Sequence, residues 1–446
     1  MRQAECGFPP EVGSGRGGIT PVMAWVTVAT LFVAQIVSTI DRGMLALVID
    51  PVRRDLSISE MQIALLQGFA FSIFYVTVGL PLGAVADAVN RRRLLIAGII
   101  VWSIATVAGG FAQGFGSMFA SRLFIGVGEA VLGPCAVTMI SDLFPPHRRG
   151  RPMALYVFGS MIAYGLGSLI SGVILDLAPK GVFAGLPVIG QLVPWRIAFT
   201  LVGTSGLLIV VLLVLLREPP RQVEAVAVGV PKLSFVQGLG LLASQRAVFL
   251  PLYASLALFA MGGSVATGWG AVFLTRAYGY PLGAAGQGLG VSQISWAVAG
   301  AIVAGIVVDR VGARSGARGR MRLAAFLALL GIPSSLPLLA GSGSVAMVLL
   351  GEVMLVSAIY GTTMLSVISE ITPSKTRGFA VALYAFVMTI IGGSLGPLAV
   401  AYLTESVFAS PQAVGRSMAV VGIAAFVVAA LLALRAASRI PSQART

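Results

Sequence analysis

The sequence predicts an all-α membrane protein with twelve transmembrane helices in two pseudo-symmetric six-helix bundles. Three observations carry that prediction: an extreme apolar composition, a dozen helix-length apolar stretches, and an internal repeat. The chain has 446 residues, of which 57% are hydrophobic and only 10% charged, and its mean hydropathy is +0.95. A soluble domain needs about 25% charged residues to cover its surface. Bilayer hydrocarbon is about 30 Å thick, so one spanning helix takes roughly 20 apolar residues. Stretches of that kind fill most of this chain.

Hydropathy and helix breakers place helices 1 to 6 at 22–50, 60–87, 93–113, 116–142, 150–177 and 196–216. Helices 7 to 12 fall at 247–276, 284–309, 322–341, 344–370, 377–405 and 413–436. The domain organisation follows. Residues 1–20 are a Gly- and Pro-rich tail expected to be disordered and cytoplasmic. The N-terminal bundle covers 21–216, a polar cytoplasmic linker 217–246, the C-terminal bundle 247–437, and a short cytoplasmic tail 438–446. The first apolar run is too long for a signal peptide and has no small-residue cleavage site, so it reads as an uncleaved span.

Charge orients the chain. The net charge of +14 would suggest nucleic acid in a soluble protein, but here the arginines lie between apolar stretches and no nucleic-acid partner is expected. With the N-terminus inside, the inner segments hold 22 Lys and Arg. The outer ones hold six: Arg53, Arg54, Lys180, Arg196, Arg276 and Arg416. Basic residues are retained on the cytoplasmic side, so both termini are expected there. The remaining two, Arg42 and Arg122, lie well inside spans, away from their ends.

The halves repeat each other. Asp142-Leu-Phe-Pro145, Arg149-Gly150 and Ala154-Leu155-Tyr156 recur 228 positions later as Glu370-Ile-Thr-Pro373, Arg377-Gly378 and Ala382-Leu383-Tyr384. Gly83-Ala-Val-Ala-Asp87 recurs 222 positions later as Gly305-Ile-Val-Val-Asp309. Both matches fall in equivalent loops, which points to duplication. Repeated halves are a transporter plan, with the substrate site between them near the midplane.

Two cysteines, Cys6 and Cys135, and one histidine, His147, give neither a disulfide framework nor metal-ligand spacing. No nucleophile with a histidine base is present, and no Gly-x-x-x-x-Gly-Lys phosphate loop. An enzyme and a nucleotide-driven pump are therefore disfavoured, no cofactor is expected, and protons are the expected coupling ion.

Gly83-xxx-Asp87-xx-Asn90-Arg91-Arg92-Arg93 and Gly305-xxx-Asp309-Arg310-x-Gly312-x-Arg314 resemble the helix 2–3 loop signature of the major facilitator superfamily. The second copy matches better, since the first has Ala88 at a usually basic position and Asn90 for glycine. A narrower resemblance rests on Asp41-Arg42, on Arg122-Leu-Phe-Ile-Gly126-Val-Gly128-Glu129-Ala130, and on Phe144-Pro145-Pro146-His147-Arg148-Arg149-Gly150-Arg151. These are similar to the spinster family, whose animal members are associated with sphingolipid and lysophospholipid export. The resemblance implies alternating access, a bacterial inner-membrane location, a monomer among membrane lipids, and an amphiphilic or lysolipid-like substrate. The alternative is a general antiporter or symporter of the superfamily for a drug or small metabolite.

A charge within hydrocarbon costs at least about 2.5–3.5 kcal/mol, so each needs a reason. Asp41 and Arg42 point roughly 100° apart on helix 1 and should seek partners on another helix. Helix 4 offers both signs: Arg122 and Glu129 are seven residues apart, two turns along one face. One reading is a proton relay in which Asp41 and Glu129 carry and Arg42 and Arg122 tune; the other is a static ion-pair network. The signature residues Gly83, Asp87, Arg91, Gly305, Asp309 and Arg310 read as gates, Asp87 meeting helix 11 and Asp309 the helix 5 region, or as packing and topology anchors. Gly165, Gly167, Gly392, Gly393 and Gly396 mark pliable points or close packing. Candidate cavity residues are Gln67, Tyr75, Tyr164, Trp269, Gln293, Trp296, Glu352, Tyr360 and Tyr384, while Trp25 and Trp195 suit the interfacial belt.

Overall fold

The computed structural model describes residues 20–145, 148–221, 240, 242 and 244–440. The side chains at Leu80, Gly83, Ala84, Asp87, Ser374, Lys375 and Gly378 are not part of that description. The two tails and most of the expected linker thus lie outside the described residues.

Eleven helices among the described residues are long and apolar enough to cross a membrane. One of them, Leu282–Leu330, bends at Gly316, whose φ of 55° is outside the helical range, and so contributes two spans. That makes twelve. Helix 1 is Pro21–Leu47, with the Thr20 hydroxyl accepting from the Met23 amide (3.2 Å) and Pro21 in the first turn. A short helix, Ile49–Leu56, leads to helix 2, which runs Glu60–Ala64, a π-helical turn Leu65–Phe69, then Ala70–Ala88. Helix 3 is Arg91–Gly110, capped by Asn90 Oδ1 on the Arg93 amide (2.8 Å). Helix 4 comprises Phe115–Glu129 and Leu132–Leu143, helix 5 is Gly150–Leu177 and helix 6 is Pro194–Leu215.

In the second half, helix 7 is Arg246–Tyr278 and helix 10 is Gly343–Ile371. Helix 11 runs Ser374–Phe386, a π-helical turn Val387–Gly392, then Gly393–Tyr402; helix 12 is Val414–Arg439. Helix 9 departs from the hydropathy reading of 322–341. It starts at 317, directly after the Gly316 break, where Glu370 Oε1 accepts from the Ala317 amide (3.1 Å). It ends at Leu330, because Pro333 and Pro337 direct the chain into two 3-10 turns.

Small residues bring the halves together. A methyl group at Gly172 in helix 5 would fall 2.7 Å from the Gln287 nitrogen of helix 8, and one at Gly290 would fall 2.6 Å from the Leu169 nitrogen. Gly165 likewise faces Gly290 and Ile294. At Gly165, then, close packing accounts for the glycine. Helices 2 and 11 cross where Gly68, within one π turn, meets Ser394 next to the other. Trp25 is exposed, as an interfacial residue should be, but Trp195 is buried and donates to Asp55 Oδ2 (3.0 Å). It packs edge-on against Phe199 within the buried core at the start of helix 6, which end-of-helix position alone does not reveal.

Candidate transport site

Four intramembrane charges from helices 1 and 4 meet in the first half. Arg42 Nε lies 2.7 Å from Glu129 Oε2, and Arg42 Nη2 donates to Ser38 Oγ (3.1 Å). The Arg42 guanidinium also sits over the rings of Phe71 (5.1 Å) and Tyr75 (5.4 Å), which spreads its charge onto two π faces. Glu129 is fully buried, whereas about a quarter of the Arg42 side chain is exposed.

Arg122 is fully buried and spends its donors on main-chain carbonyls: Leu66 (3.3 Å), Asp41 (3.3 Å) and Arg42 (3.2 Å). Its Nη1 is 3.9 Å from Asp41 Oδ1, an atom with no hydrogen-bond partner. Asp41 Oδ2 instead bonds the hydroxyl of Thr106 on helix 3. That hydroxyl also reaches the Trp102 carbonyl at 2.9 Å. A threonine has one proton to donate, and here two acceptors are within reach.

Glycines let these helices approach. A Cβ at Gly126 would meet the Phe71 carbonyl, and one at Gly128 the Gly98 carbonyl, so helix 4 packs tightly on helices 2 and 3 on either side of Glu129. Beside Arg42 and Glu129 opens a cavity of about 320 Å³, lined also by Gln35, Tyr75, Tyr156 and Tyr164. The Tyr156 hydroxyl donates to Gln35 Oε1 (2.7 Å). Gln35, Ser38, Thr39 and Arg42 follow helical spacing along one face of helix 1, a polar stripe visible in the sequence but not singled out there.

Of the sequence candidates, Tyr75 and Tyr164 line this cavity and others have different partners. Gln67 donates to the Gly268 carbonyl (3.4 Å) and Gln293 accepts from Ser168 (3.0 Å), both between the halves. Trp269 donates to the Pro397 carbonyl (3.2 Å) and Trp296 to the Val348 carbonyl (3.1 Å). Tyr360 is fully buried, stacked on Phe259 at 3.6 Å and bonded to Ser255 (2.9 Å). Tyr384 lies near Gly361, and Glu352 is partly exposed with one oxygen unpartnered.

The halves are locked together at the end opposite the termini. Arg276, at the end of helix 7, grips Asp50 through Nη2–Oδ1 (2.6 Å) and Nε–Oδ2 (3.0 Å). Its Nη1 also lies 2.8 Å from Glu60 Oε1, which Arg53 shares at 2.8 Å. Glu405 of the second half accepts from the Met61 amide (2.9 Å). Among the described residues, no hydrogen bond or ion pair joins the halves at the termini end. There each half closes on itself. Arg91 pairs with Asp142 and with Glu218 (3.0 Å), and Glu218 caps helix 3 through the Arg92 amide (2.8 Å). Arg320 pairs with Glu370 at the repeated position, so Asp142 and Glu370 play matching parts. Asp309 and Arg310 are exposed with no partner among the described residues, and a Cβ at Gly305 would meet nothing within 4 Å. Gly83 and Asp87 lie outside the described side chains, so the helix 11 contact expected of Asp87 does too.

A family model for the Major Facilitator Superfamily matches residues 31–397. The chain belongs to that superfamily. It is therefore a multi-pass membrane transporter and not an enzyme. An MFS-type efflux pump of Mycolicibacterium smegmatis is 25% identical over 94% of both chains. Protein spinster of Drosophila melanogaster is 28% identical over 56% of this chain and 39% of its own length. In fold, the chain is similar to a bacterial homolog of the human lysosomal transporter spinster, solved in an inward-facing and unoccupied conformation. That likeness has a TM-score of 0.76 at 22% identity and covers 95% of this chain and 97% of the other.

Proposed function

We propose that this superfamily member is a proton-coupled secondary transporter of an amphiphilic, lysolipid-like molecule, working by alternating access in a bacterial inner membrane. Both termini are cytoplasmic in this reading, which makes the locked end periplasmic and the present conformation inward-facing. The observation that carries proton coupling is the donor count at Asp41. Arg122 turns its N–H groups to carbonyls, and the single Thr106 proton has two acceptors. Both acceptors around the Thr106 hydroxyl are satisfied when Asp41 carries a proton on Oδ2, donates it to Thr106 Oγ1, and leaves Thr106 to donate to Trp102. Glu129 is the second carrier, with Arg42 as the partner it gains or loses.

Coupling needs a ligand whose affinity differs between the two conformations. A carboxylate that meets an arginine in one conformation and not in the other has two proton affinities, because burial and a nearby cation act in opposite directions on it. Rocking of the halves supplies the two environments. The opening and closing contacts are the Arg276 lock on the outside and the signature loops on the inside.

The amphiphile rests on the spinster resemblance and on the lopsided charge. The described lining of the Arg42–Glu129 cavity comes from the first half, while Glu352 is the only carboxylate in the middle of helices 7–12 among the described residues. A polar head would sit against the first half and an apolar tail against the second. Similarity to an efflux pump over nearly the whole chain favours a second reading, a drug or small metabolite. A proton-flux assay in liposomes, run against lysophospholipids, sphingoid bases, cationic drugs and sugar acids, separates them. Proton movement with a lysophospholipid or sphingoid base supports the first reading; movement only with a cationic drug or a sugar acid overturns it.

A further inference from the structure

We infer that the cytoplasmic ends of helices 9 and 12 form a binding site for an anionic phospholipid of the inner leaflet. The inference rests on the membrane placement proposed above and not on the substrate. Arg318, in the first turn of helix 9, donates to the Ala437 carbonyl (3.1 Å) and the Ser438 carbonyl (3.4 Å), tying that helix to the last turn of helix 12. A cavity of about 330 Å³ opens at this junction, lined by Gln245, Ser315, Arg318, Glu370 and Ile440 among others. The start of helix 7 and the end of helix 10 complete its walls.

The surroundings are strongly basic. Arg322 lies one turn further along helix 9 from Arg318, and Arg435 and Arg439 flank the carbonyls that Arg318 holds. All three are exposed, and among the described residues none has an ion pair or side-chain hydrogen bond. Glu370, the carboxylate in the cavity wall, is already engaged by Arg320 and the Ala317 amide. The Arg320 guanidinium in turn lies against Gly312, where a Cβ would collide with it, so the pair is fixed in place. The remaining arginines are a cationic surface with no acidic partner among the described residues.

What makes this a lipid site, and not a site for a soluble anion, is what lies below the arginines. Phe326, one turn beyond Arg322, is 61% exposed, and Leu329 and Leu330 continue the apolar face of helix 9. Leu431 is 60% exposed one turn before Arg435, and Leu434 is exposed beside it. Both helices thus present an apolar strip to hydrocarbon with guanidinium groups at its cytoplasmic edge. That is the chemistry of a diacyl lipid with a phosphate head. Guanidinium also suits phosphate through bidentate hydrogen bonding. Retention of basic residues inside explains why arginines stand on this face. It does not explain their grouping over two packed helices beside a cavity.

The test uses the full chain reconstituted in vesicles of equal phosphatidylglycerol and phosphatidylethanolamine, then native mass spectrometry of the lipids it retains. The wild type should retain phosphatidylglycerol preferentially. The triple variant R322Q/R435Q/R439Q should bind it about a hundredfold more weakly, roughly fivefold per arginine. The control triple R93Q/R148Q/R151Q, on the same face of the other half, should keep the preference. Should the first triple misfold, the single variant R322Q must still show its fivefold loss. The lysine triple R322K/R435K/R439K should retain most binding. Equal retention of both lipids by the wild type overturns the proposal. So does an equal loss in the control triple, or displacement of the lipid by inorganic phosphate at constant ionic strength. Transport of an amphiphile can fail while this preference persists, which keeps the two proposals separate.

Discussion

Replacing Arg276 by Gln should open the locked end, the periplasmic end in the proposed orientation. Arg276 is the cation that the second half contributes to the lock, and it makes a two-point contact with Asp50, a third with Glu60, and a fourth with the Pro411 carbonyl at 3.0 Å. Its side chain is 9% exposed and that of Glu60 only 3%, so solvent screening is slight for these two, whereas Asp50 is 23% exposed. A hydrogen bond to a charged group is worth about 1.5–3 kcal/mol when buried. Arg53 keeps one contact with Glu60 in the variant, and part of the lost energy is recovered when Asp50 meets water. A net shift of about 2–4 kcal/mol follows, or roughly 30- to 1000-fold in the ratio of outward- to inward-open molecules.

The assay is a spin-label distance distribution between Val182 and Leu339, exposed on the outer loops of the two halves, with both native cysteines replaced. R276Q should move population into a longer-distance peak. D50N/E60Q should do the same, and the three changes together should add little, as expected for groups in one network. An unchanged distribution in R276Q would refute the reasoning. So would full additivity of the two perturbations.

Three other outcomes follow from the packing and ion pairs. G290L places a side chain where the Leu169 main chain lies, so the halves can no longer close at the helix 5–8 crossing; transport should be lost while the protein still inserts, as read by flux and membrane yield. R91Q removes a nearly buried cation shared by Asp142 and Glu218 and should destabilise the first half by about 3 kcal/mol, seen as a lower melting temperature in detergent, with R320Q milder because its pair is more exposed. T106V removes the hydroxyl between Asp41 and Trp102; it should shift the pH midpoint of transport with little change in melting temperature, whereas a purely structural contact would shift only the latter.

Much of this architecture is legible in the sequence because hydropathy and duplication are one-dimensional signals. The spans appear as apolar runs, and Asp142 and Glu370 announce themselves as repeats before the structure shows each holding an arginine. The quartet on helices 1 and 4 is legible too, since charge in hydrocarbon demands a partner and only two helices of the first half offer one. Hydropathy has no face, however. It cannot tell that Trp269 and Tyr360 are packed inside the second half while Tyr75 and Tyr164 border the Arg42 cavity. Helix 9 was displaced because its start is set by a backbone break at Gly316 and a carboxylate 53 positions away. The outer lock was invisible for the same reason: Asp50 and Arg276 are 226 positions apart, and in one dimension each is only a loop charge.

The central claim is that protons drive transport through Asp41 and Glu129, and neutral isosteres test it most directly. D41N and E129Q each remove a titratable group and keep its shape, so folding and substrate binding should survive in both. In liposomes with an imposed pH gradient, substrate uptake coupled to proton movement should fall at least roughly tenfold in each variant, the effect of about 1.4 kcal/mol. Exchange of substrate without a gradient should fall much less. Wild-type rates of gradient-driven transport in both variants would contradict the account and leave the four charges as a static ion network between helices 1 and 4.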